Sequence, residues 1–257
     1  MTLSRARAPE NFSLTADAYQ ATMAVALTPI AGEVVRRASL RPSEDVLDVG
    51  TGTGIGAEAA LGDGRRVVGL DAASGMLRLA REAVPWAEFV EGDFSAMPFD
   101  DATFDVVTAV HALLFAEDRG ATLAEWARVT RPAGRLSLSV PGPVERSPHA
   151  IYGDVYAVHG LTRASDYPSA DELARLAHRA GWHEVAVEAD PDTAIRLADE
   201  AAFRRWLTVG SRGRATRGWQ PERIEALNRD LLAATPHDAL GYRIPFGALY
   251  LTARRPA

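Results

Sequence analysis

The sequence lacks two residue types on which many enzyme mechanisms depend. Cysteine is absent from the 257 residues, which excludes disulfides, thiolate nucleophiles, zinc–thiolate sites and iron–sulfur clusters. Lysine is also absent, so all 28 basic side chains are arginine. Without lysine the chain has no P-loop lysine, no pyridoxal phosphate Schiff base, no paired lysine of protein kinases and no Ser–Lys dyad.

Long apolar runs and an excess of positive charge are missing as well. No stretch approaches the roughly 20 apolar residues that a bilayer span requires, and the first residues lack the apolar core of a signal peptide. We therefore expect a cytoplasmic protein with no membrane partner. The net charge of -6 argues against a phosphate-backbone binder, and we expect no nucleic-acid partner. The sequence predicts no particular oligomeric state.

Short apolar runs alternate with amphipathic segments through the first 140 residues. The strand-like runs are residues 46–49, 66–71, 88–91, 104–110 and 136–140. Strands that alternate with helices form βαβ units in a parallel sheet with helices on both faces. The sequence therefore predicts an α/β, doubly wound fold. Two N-terminal helices precede it, and we expect Pro29 to separate them.

The chain beyond Pro141 follows a looser pattern. Prolines between residues 141 and 168 flank His149, Tyr152, Tyr156 and His159, whose spacing predicts a helical cap or lid. Residues 184–188 alternate in polarity, as in a strand at a sheet edge, and residues 248–253 form an apolar last strand.

A glycine-rich turn follows the first strand. The sequence there is Asp48-x-Gly50-x-Gly52-x-Gly54, and Asp71 ends the next strand about 20 residues later, as in nucleotide-binding fingerprints. Glycine lets the backbone approach a ligand closely, and the start of the following helix offers free N–H groups. A carboxylate at the second strand's tip is suited to accept hydrogen bonds from two ribose hydroxyls. These features predict an adenosine site at the carboxyl ends of the strands.

Two further acids bear on which adenosine cofactor binds. Nicotinamide dinucleotides use a similar turn, so the turn alone does not decide. We expect Asp48, a buried carboxylate that needs hydrogen bonds, to accept from the glycine-loop amides and to help position the ammonium end of the ligand. Asp93, at the tip of the third strand, is suited to accept from an adenine amino group beside Phe94. Both acids favour S-adenosylmethionine.

The motifs together resemble those of a known family. They are, in order, residues 46–54, 68–71, 91–94, 97–99, 104–107 and 131–134. As a set they resemble the class I S-adenosylmethionine-dependent methyltransferases, and most of all the quinone-biosynthesis and small-molecule methyltransferases. The resemblance implies a seven-stranded, mostly parallel Rossmann-like sheet with an antiparallel last strand. It also implies one domain over residues 1–257, with N-terminal helices in 1–40, a cofactor-binding core in 41–140, and a cap, substrate region and sheet edge in 141–257.

The resemblance also implies where the cofactor, S-adenosylmethionine, makes its contacts. Gly50 and Gly52 line its methionine part, Asp71 the ribose, and Asp93 and Phe94 the adenine. Ala109 to His111 line the sulfonium side, and Tyr19 and Met76 are further candidates. Asp48, Thr51, Ala72 and Gly92 complete the set.

The predicted activity is methyl transfer to a small-molecule acceptor by in-line displacement, in specialised metabolism. His111, at the end of the fourth strand, is the first candidate for a catalytic base, and His149 in the cap is the second. A cluster of Arg212, Arg214, Arg217 and Trp219 is interpreted as a solvated loop. No metal-ligand spacing is present, so we expect no metal. Two alternatives stay open: a non-methylating protein that binds the same cofactor, for instance to steer a cyclisation, and a nicotinamide oxidoreductase.

Overall fold

The protein is described by a computed structural model that covers residues 8–62, 64–143, 148–161, 167–209 and 215–257, with the backbone alone for 8 and 148–150. The strands in these ranges are β1 (Asp45–Val49), β2 (Arg66–Asp71), β3 (Glu88–Glu91), β4 (Phe104–Val110), β5 (Thr130–Pro141), β6 (His183–Asp190), β7 (Ala194–Leu197), β8 (His237–Asp238), β9 (Gly241–Pro245) and β10 (Ala248–Arg254). The α-helices are α1 (Ala8–Leu14), α2 (Ala16–Tyr19), α3 (Val25–Ala38), α4 (Ile55–Ala60), α5 (Ser74–Ala83), α6 (Arg119–Val129), α7 (Pro148–Val158), α8 (Ala170–Arg179), α9 (Glu200–Thr208) and α10 (Pro221–Ala234).

Seven of the strands form one mixed sheet in the order β3-β2-β1-β4-β5-β10-β6. Strands β1 to β5 run parallel to one another, and β10 is antiparallel to both of its neighbours, β5 and β6. The predicted doubly wound sheet with an antiparallel last strand is therefore confirmed. The order of the strands changes direction at β1, the point at which open α/β sheets bind ligands beyond the carboxyl ends of the strands.

Both faces of the sheet are covered by helices, which explains why its central strands are apolar throughout. In β1 the side chains of Val46 and Leu47 point to opposite faces and both are fully buried. On one face Val46 packs with Ala57 of α4. On the other face Leu47 belongs to a larger core that includes Trp126 of α6. The edge strand β6 alternates because only one of its faces packs against that core.

The cap, by which we mean the elements after β5 that lie outside the seven-stranded sheet and its helix α8, contains more than helices. Helices α7, α9 and α10 are present, but strands β7, β9 and β8 also form a three-stranded antiparallel sheet. The apolar core of the cap includes Phe203 of α9, Leu227 of α10 and Ile244 of β9. The small sheet pairs residues 194–197 with 242–245, and such a distant pairing leaves no local periodicity in the sequence.

Pro29 does not separate two helices, which corrects the sequence prediction. It lies inside α3, and the irregularity falls earlier, in a π-helical turn over Gln20–Ala24. Proline lacks the N–H that would bond the carbonyl four residues before it. The helix continues because its apolar face, including Ile30 and Val34, is buried in the core. Tertiary packing thus outweighs the local preference of proline.

Within the described ranges, no helix combines the length and apolar composition that crossing a lipid bilayer requires.

Candidate active site

The glycine-rich turn after β1 packs too tightly for larger residues. Gly50 adopts φ 64°, and a Cβ atom there would lie 2.5 Å from the Cβ of Ala112. Glycine is required on both grounds, since the left-handed conformation is costly for other residues and the space is occupied. The contact also joins the turn to the segment after β4, which carries His111.

Asp48, in strand β1, stabilises this turn through hydrogen bonds. Its carboxylate is buried and accepts hydrogen bonds from the hydroxyls of Thr51 (2.7 Å) and Thr108 (3.0 Å) and from the backbone N–H of Ala57. These partners differ from the glycine-loop amides that the sequence predicted: two are threonine hydroxyls, one in the turn and one on β4, and the third is a backbone N–H of α4. Burial raises the pKa of Asp48 to about 6, although the hydrogen bonds oppose that rise. Its predicted contact with the ammonium group stays a prediction.

Asp71, at the end of β2, fixes the outer part of the same turn. One carboxylate oxygen accepts from the Gly52 N–H and the other from the Ala73 N–H, each at 2.8 Å. Burial raises the pKa of Asp71, and the N–H groups of Ala73, Gly52 and Ala72 oppose the rise. These three N–H groups leave the carboxylate, which offers about four lone-pair sites, with one site for a ligand hydroxyl. Asp71 thus stabilises the conformation of the turn, and it is also the residue predicted to bind the ribose.

The third acid lies at the end of the neighbouring strand. Asp93 is exposed, and its Oδ1 accepts from the N–H (2.8 Å) and the hydroxyl (2.6 Å) of Ser95. Gly92 donates its N–H to the Asp71 carbonyl at 3.0 Å, which ties the two strand ends together. Phe94 packs edge-on against Trp126. Since β3, β2 and β1 are adjacent, the structure brings the three predicted acids to one edge of the sheet.

The N-terminal helices lie over the glycine-rich turn. A Cβ at Gly52 would meet the ring of Tyr19 at 3.9 Å. Burial, and secondly the charge of Asp71, raise the pKa of the Tyr19 phenol. Phe12 packs edge-on against both Tyr19 and Phe115, with ring centroids 5.9 and 5.2 Å apart. These contacts put the predicted residue Tyr19 beside the glycine-rich turn of residues 50–54, which we call the cofactor loop after its predicted ligand.

Met76 and Ala109 are both buried among apolar residues. Met76 packs with Ala16 and Ala73, where α2 meets α5. Ala109 belongs to the main core under the sheet together with Leu138. Their contacts with the cofactor stay predictions, as does that of Ala72, whose backbone N–H is directed at Asp71.

His111 follows β4 directly and is buried in an unusual conformation. Its φ is 56°, and its ring stacks on Phe246 with 5.4 Å between centroids. Nδ1 lies 3.1 Å from the hydroxyl of Ser139, whereas Nε2 is buried with no hydrogen-bond partner among the described residues. Burial lowers the pKa of the ring to about 4, and the Ser139 backbone carbonyl, which would accept a hydrogen bond from the protonated ring, opposes this. The imidazole is therefore neutral at physiological pH.

The cap residues singled out from the sequence do not all gather around His111. His149 lies in α7, and its side chain is outside the described residues. The Tyr152 hydroxyl is 2.8 Å from the Thr235 hydroxyl inside the cap, and its ring packs on Tyr156. His159 Nε2 is 2.7 Å from Asp230 of α10. These contacts hold the cap together.

The arginine cluster is described only in part. Arg212 and Arg214 lie outside the described residues. Arg217 donates to Asn11 Oδ1 at 3.0 Å, which joins the cap to α1. The ring of Trp219 lies 3.6 Å from the Arg223 guanidinium.

Sequence reasoning missed several polar groups near the N-terminal helices and the turn. Asn11 Nδ2, Gln20 Oε1 and Thr53 Oγ1 are buried, and no hydrogen-bond partner for them occurs in the described part of the chain. Thr53 lies between two glycines of the motif, and this position could have marked it as a candidate ligand-binding residue. Asn11 and Gln20 lie in ordinary helical sequence, which gives no such indication. Phe246 and Ser139 were also missed because only the tertiary fold brings them to His111.

Comparison with known proteins identifies the family. Residues 47–138 match the family model described as a methyltransferase domain. A demethylmenaquinone methyltransferase of Streptomyces griseus is 30% identical over 164 residues, which are 57% of this chain and 71% of that protein. The chain belongs to the class I S-adenosylmethionine-dependent methyltransferases. Of the activities left open by the sequence, methyl transfer is the one that these relatives share.

Two more comparisons show how far the likeness of this methyltransferase extends. A malonyl-[acyl-carrier protein] O-methyltransferase of Serratia marcescens is 35% identical over 139 residues, 54% of each chain. A Bacillus halodurans protein crystallised as a candidate methyltransferase superposes with a TM-score of 0.60 at 20% identity, covering 88% of this chain and 99% of that one. The second likeness shows the fold alone.

The methyltransferase uses S-adenosylmethionine, and the residues of the site fit that cofactor. Its ribose hydroxyls, adenine amino group, ammonium and carboxylate need both donors and acceptors of hydrogen bonds. The strand-end acids supply acceptors with free lone pairs. Asn11, Gln20 and Thr53 add buried polar groups that have no partner within the described residues. In the described ranges, no three histidines or acids come together as a metal site would require.

Proposed function

We propose that this methyltransferase transfers the methyl group to a small-molecule acceptor held between the end of β4 and the cap, with His111 as its principal polar contact. The observation that carries the proposal is the buried, unpartnered Nε2 of His111. A buried polar group without a partner is costly, so Nε2 needs a partner from outside the protein, and we infer that the methyl acceptor is that partner. Gly50 closely approaches Ala112, so the segment that carries His111 lies against the glycine-rich turn.

The charge of His111 suits this position. The sulfonium of the bound cofactor supplies an already activated methyl group. Because burial lowers the pKa of His111 to about 4, the imidazole adds no positive charge beside a cationic ligand. The ring can still form a hydrogen bond to the acceptor and orient it, which is the main help that methyl transfer requires from the protein.

Aromatic side chains supply the apolar part of the proposed acceptor site. Phe246 covers one face of the His111 ring, and Phe12 and Phe115 join α1 to the segment after β4. Such a wall excludes water, which strengthens the remaining polar contacts. An acceptor that fits is small enough to be enclosed and has an apolar body with one or more polar atoms.

The cap is the part of the chain that we expect to select the acceptor. The family model ends at residue 138, before the cap begins. The relatives are named for different acceptors, demethylmenaquinone in one case and a malonyl group on an acyl carrier protein in the other. We infer that the relatives share the core and differ in the part that meets the acceptor, and we propose that this chain acts in specialised metabolism.

Methyl-labelled S-adenosylmethionine tests the proposal. The protein is incubated with the labelled cofactor and with small-molecule extracts, and label in a product of low molecular weight supports the proposal. His111→Ala should lose transfer while still binding S-adenosylhomocysteine in calorimetry. Cofactor binding without label transfer to any extract would instead favour the non-methylating alternative. Label found only in protein or nucleic acid would contradict the small-molecule acceptor.

A further inference from the structure

Ser139 of β5 contacts His111 at two points. The backbone N–H of His111 donates to the Ser139 carbonyl at 3.0 Å and approaches the Ser139 hydroxyl at 3.3 Å. The same hydroxyl lies 3.1 Å from Nδ1 of the His111 ring. Ser139 and His111 are both buried, so these contacts are shielded from water. Together they fix the backbone and the ring of a residue in a left-handed conformation.

The hydrogen atoms in this cluster can be assigned by counting donors and acceptors. The Ser139 hydroxyl has a single proton and two neighbours, the His111 N–H and the His111 Nδ1. The N–H is itself a donor, so only Nδ1 can accept that proton. The opposite tautomer would direct an Nδ1–H at the Ser139 carbonyl and leave the buried hydroxyl proton without an acceptor. The first arrangement satisfies every group in the cluster except Nε2.

We propose that Ser139 is a positioning residue that keeps His111 in the Nε2-protonated tautomer, so that His111 offers the methyl acceptor a neutral N–H donor. This inference rests on the proposed acceptor site beside His111. A donor at Nε2 matches an acceptor that presents a carbonyl or an ionised oxygen at this point. It does not match the catalytic base expected from the sequence, because a base at Nε2 needs a free lone pair there.

Nuclear magnetic resonance of the full chain labelled with 15N-histidine measures the tautomer directly. The six histidines give separate ring signals, and His111→Asn identifies the signal of interest by its loss. The couplings between the two ring nitrogens and the protons on the ring carbons distinguish a protonated Nε2 from an unprotonated (bare) Nε2. Because the measurement needs no acceptor, its result is independent of the labelling experiment that tests the proposed function.

Three variants complete the experiment. Ser139→Ala should move the proton to Nδ1, and Ser139→Thr, which keeps the hydroxyl, should retain the wild-type tautomer. Ser137→Ala is the matched control, because Ser137 is buried on the same strand and donates its hydroxyl proton to the Val34 carbonyl instead. A bare Nε2 in the wild type, or an unchanged tautomer in a folded Ser139→Ala, would overturn the proposal. If Ser139→Ala does not fold, the wild-type and Ser139→Thr spectra decide: a protonated Nε2 in both supports the proposal, and a bare Nε2 in either one overturns it.

Discussion

The two sides of the active site differ in how completely their polar groups are satisfied. On the cofactor side, the buried carboxylate of Asp48 and the half-buried carboxylate of Asp71 accept hydrogen bonds from the turn and from neighbouring segments. In the N-terminal helices and directly after β4, buried atoms of Asn11, Gln20 and His111 have no partner within the described ranges, and Thr53 Oγ1 is the exception within the turn itself. The cofactor loop is therefore held in shape by the protein itself, whereas the opposite wall is completed by what binds there.

This difference predicts different responses to mutation. Changes on the cofactor side should disturb the shape of the loop, and so affect stability as well as cofactor affinity. Changes on the opposite side remove contacts with a ligand and should leave the free protein intact.

The largest effect is expected for Gly50→Ala. The added methyl would lie 2.5 Å from the Ala112 Cβ, at a backbone φ of 64°. Overpacking and the left-handed conformation together should cost about 3 kcal/mol, shared between stability and affinity for S-adenosylhomocysteine. Thermal unfolding and calorimetry measure the two parts. The control is Gly32→Ala, at an exposed position of α3 where a Cβ meets nothing within 4 Å. Equal stability and equal affinity for S-adenosylhomocysteine in Gly50→Ala and Gly32→Ala would contradict the packing argument.

Asp71→Ala should have the next largest effect on affinity. The variant loses the half-buried acceptor predicted for the ribose and leaves the N–H groups of Gly52 and Ala73 without their partner. We expect binding of S-adenosylhomocysteine to weaken by about 1 to 3 kcal/mol. Asp93→Ala should lose less, because Asp93 is exposed and water replaces its contacts. Calorimetry on both variants checks the order, and a greater loss for Asp93→Ala would reverse our assignment of the two acids.

The raised pKa of Asp48 predicts how stability changes with pH. Because its pKa of about 6 lies above the ordinary value of 3.8, the folded protein binds more protons than the unfolded chain between these values. The contribution of Asp48 to stability therefore falls as the pH rises from 4 to 6. Relative to the wild type, Asp48→Asn should gain roughly 2 kcal/mol in its free energy of unfolding over that range. Urea unfolding at pH 4 and pH 7 measures this, and a constant difference would mean that the pKa is not raised.

The sequence predicted the parts of the structure whose signals are local. The strands of the core are short apolar runs, and the acids at their tips follow them directly, so the order of the motifs was enough to predict one shared edge. The hydrogen bond from Thr51 to Asp48 spans three residues, but the bond from Thr108 spans sixty. The second partner has no local signal, and the expectation of glycine amides in its place was reasonable from the sequence alone.

The parts that were missed depend on contacts between distant segments. The ring of His111 meets Ser139 on the next strand and Phe246 near the end of the chain. No periodicity near residue 111 indicates either partner. Pro29 shows the same dependence on distant contacts. The local preference of proline predicted that the helix would end there, but α3 continues because its apolar face is buried.

The smallest effect should come from the aromatic cover over the cofactor loop. Tyr19 contributes a ring beside Gly52 that packs against Phe12, so the ring should matter more than its hydroxyl. Tyr19→Ala should weaken binding of S-adenosylhomocysteine by about 1 kcal/mol, a typical value for one aromatic pair. Tyr19→Phe keeps the ring and should bind nearly as the wild type does, and both variants should unfold within a few degrees of it. If Tyr19→Phe loses as much affinity as Tyr19→Ala in calorimetry, the hydroxyl itself contacts the cofactor, and this wall is more polar than its packing indicates.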